Sequence, residues 1–300
     1  MVNQKQTRHC PKCGLSSSHP TECAHCGIIF ERFSIKSLDQ EIEPIREEKN
    51  YDEVFENYKI NLYSLPVGLL AAFLIQQFSL FKILSTTVLS MSIHEFGHAV
   101  TAWMMGQFAI PIPMAGLTLP IGSRSTLVSL LFISAFSYLA YKSWKEKIYF
   151  LFSLSVGFIL ASLYLLKNYT NSTQMPVIFF AGVAGEFILS AILILAFYNP
   201  LFKKIRWDFF RYFFFAVGCM VYVESSLLWI NISLKRSAIP FGSCQSADGA
   251  GAKEGDMNRL IADGWTENDI TSRYLMVLKI TLILIILQYA YRVLIKSRRA

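Results

Sequence analysis

The sequence at positions 93–99 reads Ile-His-Glu-Phe-Gly-His-Ala and places two histidines four residues apart. On an α-helix, residues with this spacing lie on one face, about 6 Å apart along an axis that rises about 1.5 Å per residue. Two neutral imidazoles so arranged, His94 and His98, can bind one Zn²⁺. Glu95 lies beside them and can take a proton from zinc-bound water. The pattern therefore predicts a catalytic zinc site on a helix.

The surroundings of the motif are unusual for a site that uses water. From 83 to 105 the chain is almost wholly apolar apart from His94, Glu95 and His98. Burying two imidazoles and a carboxylate among lipid tails is unfavourable and usually marks function. A surface helix with two unrelated histidines would instead be polar. We therefore predict a metal site within a membrane-spanning helix.

The composition is typical of a membrane protein. The 300 residues are 53% hydrophobic and only 16% charged, which is unlike a soluble domain of this size. The formal net charge is +7, and residues 31–59 carry nine acidic and five basic side chains, so the rest of the chain is strongly basic. The basic residues cluster at the ends of apolar runs, where they would meet lipid headgroups. This placement argues against a nucleic-acid-binding surface.

Four of the six cysteines lie within the first 26 residues, in two Cys-x-x-Cys-Gly repeats. This spacing predicts a four-thiolate structural zinc site and resembles a zinc ribbon. The glycine that ends each repeat permits the left-handed backbone of a tight turn. The module is too short to be stabilised by a hydrophobic core, so it needs its metal to fold. A redox thiol pair is the alternative, but such pairs rarely occur doubled. Beside a membrane domain, a protein partner is favoured over nucleic acid. The predicted ligands are Cys10, Cys13, Cys23 and Cys26.

We predict an all-α polytopic membrane protein with about six to seven transmembrane helices and a small N-terminal zinc ribbon. The ribbon occupies residues 1–30, a charged linker residues 31–60, and a membrane domain with the metal motif residues 61–300. The linker is a tether with short helical pieces, one of them at 51–58. The apolar runs predict spans at 62–81, 83–105, 125–141, 148–166, 175–198, 209–230 and 274–294.

The orientation of these spans is open. A reduced zinc ribbon argues for a cytosolic N-terminus. Seven spans would then put the basic residues at 296–299 outside, against the positive-inside tendency. Either one segment does not cross the membrane, or the charge bias is weak.

Residues 108–120 are apolar but contain three prolines and a glycine, so they cannot form a regular helix. Non-helical backbone at membrane depth survives only against protein or a water-filled cavity. We expect a re-entrant loop or short hairpin near the metal, whose strand edge could pair with an unwound substrate. An ordinary interfacial connection is the alternative.

A catalytic zinc needs a third protein ligand and an open position for water. The other histidines, His9, His19 and His25, belong to the N-terminal module, so we expect a carboxylate far along the chain. Two of the candidates, Glu186 and Glu224, lie inside apolar runs, where a carboxylate either is functional or pairs with a neighbouring polar group. The candidates are Asp248, Asp256, Asp263, Glu186 and Glu224.

The motif in its apolar helix resembles the site-2 protease family of intramembrane zinc metalloproteases. The resemblance implies an endopeptidase that cuts transmembrane or membrane-proximal protein segments, with Glu95 as general base and a late aspartate as third zinc ligand. Asp248 precedes a glycine, as the family's aspartate often does. The string Gly-Asp-Met-Asn-Arg-Leu at 255–260 looks like the C-terminal motif of a bacterial branch of the family, which implies the inner membrane of a bacterial cell. The resemblance therefore favours Asp256 over Asp248 as the ligand.

The resemblance extends over about 62–294, but its specific matches are confined to the motif helix and the late aspartate. No Asn-x-x-Pro-x-Pro string precedes the aspartate, no PDZ-like insertion is visible, and the ribbon is an addition. The alternative function is a non-catalytic membrane scaffold or sensor with structural metal sites, which would have no use for Glu95. A metal transporter would need more intramembrane ligands than Glu186 and Glu224. Asp256 could also be only a helix N-cap, and Asp248 only a turn residue.

Overall fold

A computed structural model describes residues 8–10, 12–19, 21–30, 57–170, 173–202, 208–241 and 255–296. The chain divides into two units, Met1–Val54 and Phe55–Ala300. Most of the predicted linker, including residues 51–56 of its helical piece, lies outside the described residues, as does Asp248.

The N-terminal unit is built on two tight turns. Strand β1 (Arg8–His9) pairs antiparallel with β2 (Ser16–Ser17). In each Cys-x-x-Cys-Gly repeat, the glycine N–H donates to the carbonyl of the first cysteine at 2.9 Å. The two glycines, Gly14 and Gly27, have φ values of 74° and 68°, so the left-handed turns predicted from the sequence are present.

The second unit is helical, with one β-hairpin. Six of its helices are long and apolar enough to cross a membrane, among the residues that the structure describes. This number agrees with the lower end of the predicted six to seven. These helices are α1 (Tyr58–Ile75), α4 (Thr126–Lys145), α5 (Tyr149–Asn168), α6 (Met175–Phe197), α7 (Asp208–Ser233) and α9 (Glu267–Ala290). The shorter helices are α2 (Ser79–Leu84), α3 (Met91–Met104) and α8 (Asp256–Ala262).

The last long helix begins before the apolar span predicted at 274–294. Thr266 and Asp269 form a capping box, in which the Thr266 hydroxyl accepts from the Asp269 N–H and the Asp269 carboxylate accepts from the Thr266 N–H. The sequence Thr-Glu-Asn-Asp at 266–269 predicts a helix start with an N-cap, and the structure confirms it. A short π-helical segment, Tyr291–Lys296, continues α9.

The prediction of one regular span over 83–105 is wrong. Helix α2 leads into a π-helical segment, Ser85–Ser90, and only then into α3, which carries the histidines and is too short to be one of the six spans. Helix α1 ends at Ile75 instead of 81, so the join lies at 76–78 and not at Lys82. Hydrogen bonds explain the early end of α1. The Gln76 amide, just after its last residue, donates to Ser85 and to a carboxylate of α7.

That carboxylate is Glu224, which holds three segments together. It accepts hydrogen bonds from Ser85 at 2.9 Å, from Gln76 at 3.2 Å and from Thr86. The end of α1 and the π-helical segment are thereby tied to α7. Of the two roles predicted for Glu224, the structure shows pairing with neighbouring polar groups.

The proline-rich stretch after α3 forms a short hairpin, one of the two predicted conformations. Strand β3 (Phe108–Ile112) pairs antiparallel with β4 (Leu117–Ile121), and a 3₁₀ turn (Pro113–Ala115) connects them. The Trp103 indole N–H donates to the Ala109 carbonyl at 2.9 Å, which fixes β3 to the end of α3.

Helix α6 is the centre of the membrane unit, with the largest buried share of the six long helices, 56%. The motif helix α3 packs against it at glycines on both sides. A Cβ atom on Gly97 would collide with the Ala181 carbonyl, and a Cβ on Gly185 would collide with the Gly97 Cα. The small residues Gly182 and Gly185 in this apolar run predict close helix contact, and the structure confirms it.

The first and last long helices meet at one end of the bundle, which we call the tail end. The Tyr289 hydroxyl donates to the Leu62 carbonyl at 2.7 Å, and the Ser64 and Tyr198 hydroxyls lie 2.7 Å apart. Thus α1 begins, and α6 and α9 end, at the tail end. In the sequence, the basic residues at 296–299 follow α9.

We predict that Gly185→Ala destabilises the membrane unit, because the added methyl group has only the backbone of α3 to displace. Overpacking of this kind costs about 1–3 kcal/mol. Thermal unfolding in detergent should show a lower midpoint. The matched control is Gly157→Ala on α5, where a Cβ would meet nothing within 4 Å. An equal midpoint for both variants would contradict the close packing of α3 on α6.

Candidate metal centre

Three of the predicted ligands converge at the N-terminal half of α6. Asp256, the first residue of α8, places Oδ2 at 2.9 Å from Nε2 of His94 and at 2.9 Å from Nε2 of His98. The two imidazole rings are 4.8 Å apart between centroids. The fold thus joins two neighbouring turns of one helix to a residue 162 positions beyond His94.

The donor set and its spacing fit a zinc ion. Two imidazole nitrogens and one carboxylate oxygen form a three-residue set of the kind that catalytic zinc centres use. Ligand atoms bound to Zn²⁺ at about 2.0–2.1 Å in tetrahedral geometry lie about 3.3 Å from one another. The distances of 2.9 Å here are a few tenths of an ångström shorter, so a small outward movement of the side chains would accommodate the ion.

The partner of His98 on its other nitrogen shows which lone pair is available. Its Nδ1 lies 2.6 Å from the Ile178 carbonyl, which can only accept, so we assign the proton to Nδ1. The Nε2 lone pair then faces the Asp256 carboxylate. Two acceptors at 2.9 Å need a proton or a metal cation between them. The site is therefore built for a positive charge at this point.

A glycine on α6 makes room for both rings. A Cβ atom on Gly182 would collide with the imidazoles of His94 and His98. Only a residue without a side chain lets them approach the α6 backbone, so Gly182 forms the floor of the candidate centre.

Glu95 lies next to the ligands and is buried, with 3% of its surface exposed. One ligand atom each from His94, Glu95 and His98 lie within 4.8 Å of one another. The Thr118 hydroxyl, on β4, donates to Glu95 Oε2 at 2.6 Å. The hairpin thus holds the candidate base beside the metal ligands.

Among the residues that the structure describes, the other predicted carboxylates are not brought to the ligand atoms. Glu186 lies behind His94, bound to Nδ1 instead of Nε2. Glu224 belongs to its own polar cluster, and Asp263 is exposed at the end of α8. Asp256 is not an N-cap, because Gly255 holds that position and Asp256 is the first helical residue.

Three contributors to the centre were missed by sequence reasoning: Thr118, Ser225 and the Ile178 carbonyl. A hydroxyl or a carbonyl in an apolar run gives no signal of its own in a single sequence. Only the register of β4 and the crossings of α6 with α3 and α7 bring these groups to the site.

The N-terminal unit contains a second candidate metal site. The sulfur atoms of its four predicted ligands all lie within 4.8 Å of one another. Cys10 and Cys26 are 3.6 Å apart, as are Cys13 and Cys23, close to the roughly 3.8 Å expected for Zn–S bonds of about 2.3 Å. Burial raises the pKa of Cys10, but backbone N–H groups of Cys13 and Lys12, together with the Cys23 and Cys26 side chains, lower that pKa to about 6. The pKa values of Cys13 and Cys26 are raised, so within the cluster the thiolate is favoured at Cys10.

The chain matches no protein-family model, no curated protein and no solved structure.

We predict that Asp256→Ala removes one of two zinc ions from the full-length chain, because the two imidazoles alone hold the membrane metal weakly. Elemental analysis of the detergent-purified protein measures the stoichiometry. Asp263→Ala, at the exposed end of the same helix, is the control and should keep both ions. Loss of zinc in Asp248→Ala but not in Asp256→Ala would move the third ligand to Asp248.

We also predict that Cys13→Ser removes the other zinc ion without affecting the membrane site. A hydroxyl is a poor substitute for a thiolate in a four-sulfur site. Cys219→Ser is the matched control, because Cys219 is a buried cysteine of α7, remote in sequence from the cluster. Full zinc content in Cys13→Ser would argue against a ribbon metal.

Proposed function

We propose that this protein is an intramembrane zinc endopeptidase of the site-2 protease type, acting on transmembrane or membrane-proximal segments of protein substrates. The observation that carries the proposal is the convergence of His94, His98 and Asp256, with Glu95 held beside them, in a helical unit suited to a membrane. A site that served only to bind metal would have no need of a buried carboxylate at this position.

Zn²⁺ bound by His94, His98 and Asp256 would supply a Lewis acid for the peptide carbonyl and lower the pKa of its bound water towards about 7. Glu95 takes the proton from the attacking water and delivers it to the leaving nitrogen, so the peptide bond breaks as a new C–O bond forms. The hydrogen bond from Thr118 to Oε2 holds the carboxylate in one orientation. The other oxygen, Oε1, is then the atom assigned to proton transfer.

A helical substrate must unwind before it can be cut, because its peptide bonds are shielded by their own hydrogen bonds. The outer edge of β4 is suited to receive the unwound segment. The Ala109 carbonyl turns away from β4 to Trp103, so the Ala109–Pro120 pair is not hydrogen-bonded. Alternation then places the N–H and C=O of Thr118 on the outer edge, next to Glu95. A substrate strand paired there would lie beside the base.

We assign the four-cysteine unit as a structural zinc ribbon that contacts a protein partner, and place it in the cytosol, where thiols stay reduced. The arrangement of α1 and α9 supports this orientation. Both meet at the tail end, so a cytosolic N-terminus and a cytosolic basic tail are compatible with the positive-inside tendency. The conflict raised by seven crossings does not arise with six.

We predict that Glu95→Gln abolishes cleavage while the protein keeps both zinc ions, since the amide preserves the shape of the side chain but cannot accept the proton. Loss of a general base lowers rates by about 10²–10⁴-fold. The assay is cleavage of β-casein and of fluorescent transmembrane peptides by the purified protein in detergent, with zinc measured on the same samples.

The same assay separates the proposal from its alternative. Full cleavage by Glu95→Gln would remove Glu95 from the mechanism. Zinc binding without cleavage of any substrate by the wild-type protein would favour a membrane scaffold or sensor with structural metal sites.

A further inference from the structure

We propose that Glu186 is a positioning residue of the membrane metal centre, which fixes the His94 ring and strengthens it as a metal ligand. The inference rests on the proposed zinc site and extends it to a residue on the opposite side of the imidazole from the ion. Glu186 was a candidate ligand by sequence, and its position assigns it a different task.

The two oxygens of Glu186 have separate partners. Oε1 lies 2.7 Å from Nδ1 of His94, and Oε2 accepts a hydrogen bond from the Ser225 hydroxyl on α7. Asp256 meets the same ring at Nε2, 2.9 Å away. Glu186 and Asp256 thus lie on opposite sides of one imidazole. A metal ion bound by Asp256 and by Nε2 of His94 is therefore out of reach of Glu186.

The backbone at Glu186 is fixed by the close contact between α6 and α3. Its neighbour Gly185 lies against Gly97, one turn of α3 from His94. The carboxylate therefore starts from a backbone held in place relative to the motif helix. Ser225 restrains it from the α7 side. Its side chain is only 13% exposed, so water competes little for these hydrogen bonds.

The chemical consequence follows from the direction of the hydrogen bond. An ionised carboxylate accepts only, so Nδ1 of His94 donates and its Nε2 lone pair is directed to the ion. A carboxylate acceptor also makes the imidazole a stronger donor to metal than a neutral carbonyl does. His98 has the neutral acceptor, the Ile178 carbonyl. The two histidines are therefore unequal ligands, and His94 depends on one replaceable side chain.

The test measures the affinity for Co²⁺ of the full-length protein after its metal has been removed. Cobalt bound to thiolates has intense charge-transfer bands, so absorption separates the ribbon from the nitrogen and oxygen ligands of the membrane site. Glu186→Gln and Glu186→Ala are compared with wild type. The matched control is Glu224→Gln, which changes the other membrane glutamate, whose partners are Gln76, Ser85 and Thr86.

We expect Glu186→Ala to weaken Co²⁺ binding at the membrane site by about 10–100-fold, the usual effect of removing such a partner. Glu186→Gln should lie between Ala and wild type, because its amide oxygen can accept from Nδ1 without the charge. Glu224→Gln should bind as wild type does. In a His94→Ala background, Glu186→Ala should have no further effect on the remaining affinity.

Other outcomes would overturn the inference. Wild-type affinity in Glu186→Ala, or an equal loss in Glu224→Gln, would make Glu186 a packing residue. A lower thermal midpoint with unchanged affinity of the folded protein would do the same. Absence of cobalt from the membrane site of the wild-type protein would instead reject the proposed zinc centre. That outcome differs from one in which the wild type and the Glu186 variants bind cobalt equally well, which would reject only the role of Glu186.

Discussion

The structure depends on the close contact between the backbones of α3 and α6. Gly97 on one helix and Gly182 and Gly185 on the other leave no space for a side chain between them. This contact brings His94 and His98 against the α6 backbone, within reach of the Ile178 carbonyl and the Glu186 carboxylate. Close helix approach through small residues is a general means of association where lipid removes the hydrophobic driving force. Here the same contact also sets the geometry of the candidate centre.

Polar side chains within the apolar unit are grouped, and each group joins elements that are distant in sequence. Glu224 joins the end of α1 and the π-helical segment to α7. Glu186 joins α3 to α7 through α6, and Thr118 joins the hairpin to the motif helix. A carboxylate without partners in such surroundings would be strongly unfavourable. These networks therefore limit which packing arrangements the helices can adopt. They also account for the irregular path between α1 and α3.

The apolar runs predicted most of the long helices, but they did not predict where each helix begins and ends. The runs identified the long helices because length and hydropathy alone decide whether a helix suits a membrane. The predicted spans were wrong between 76 and 90. There Gln76 and Ser85 point inward to Glu224, and the regular helix is interrupted although the sequence is apolar. The apolar run at 274–294 covers only the later part of α9, because the first turns of this helix are polar and are held by a capping box instead of by lipid.

The sequence by itself determined the chemistry available to this protein: two imidazoles and a carboxylate on one face of a helix, and four thiolates in paired turns. Local spacing suffices there, because helical and turn geometry fix the relative positions of residues a few places apart. Only the tertiary structure decided which distant groups complete the centre. It brought Asp256 to the imidazoles, put Glu186 behind one of them, and left Glu224 and Asp263 elsewhere. The reason is that helix crossings and strand register depend on the packing of the whole unit, which no single segment encodes.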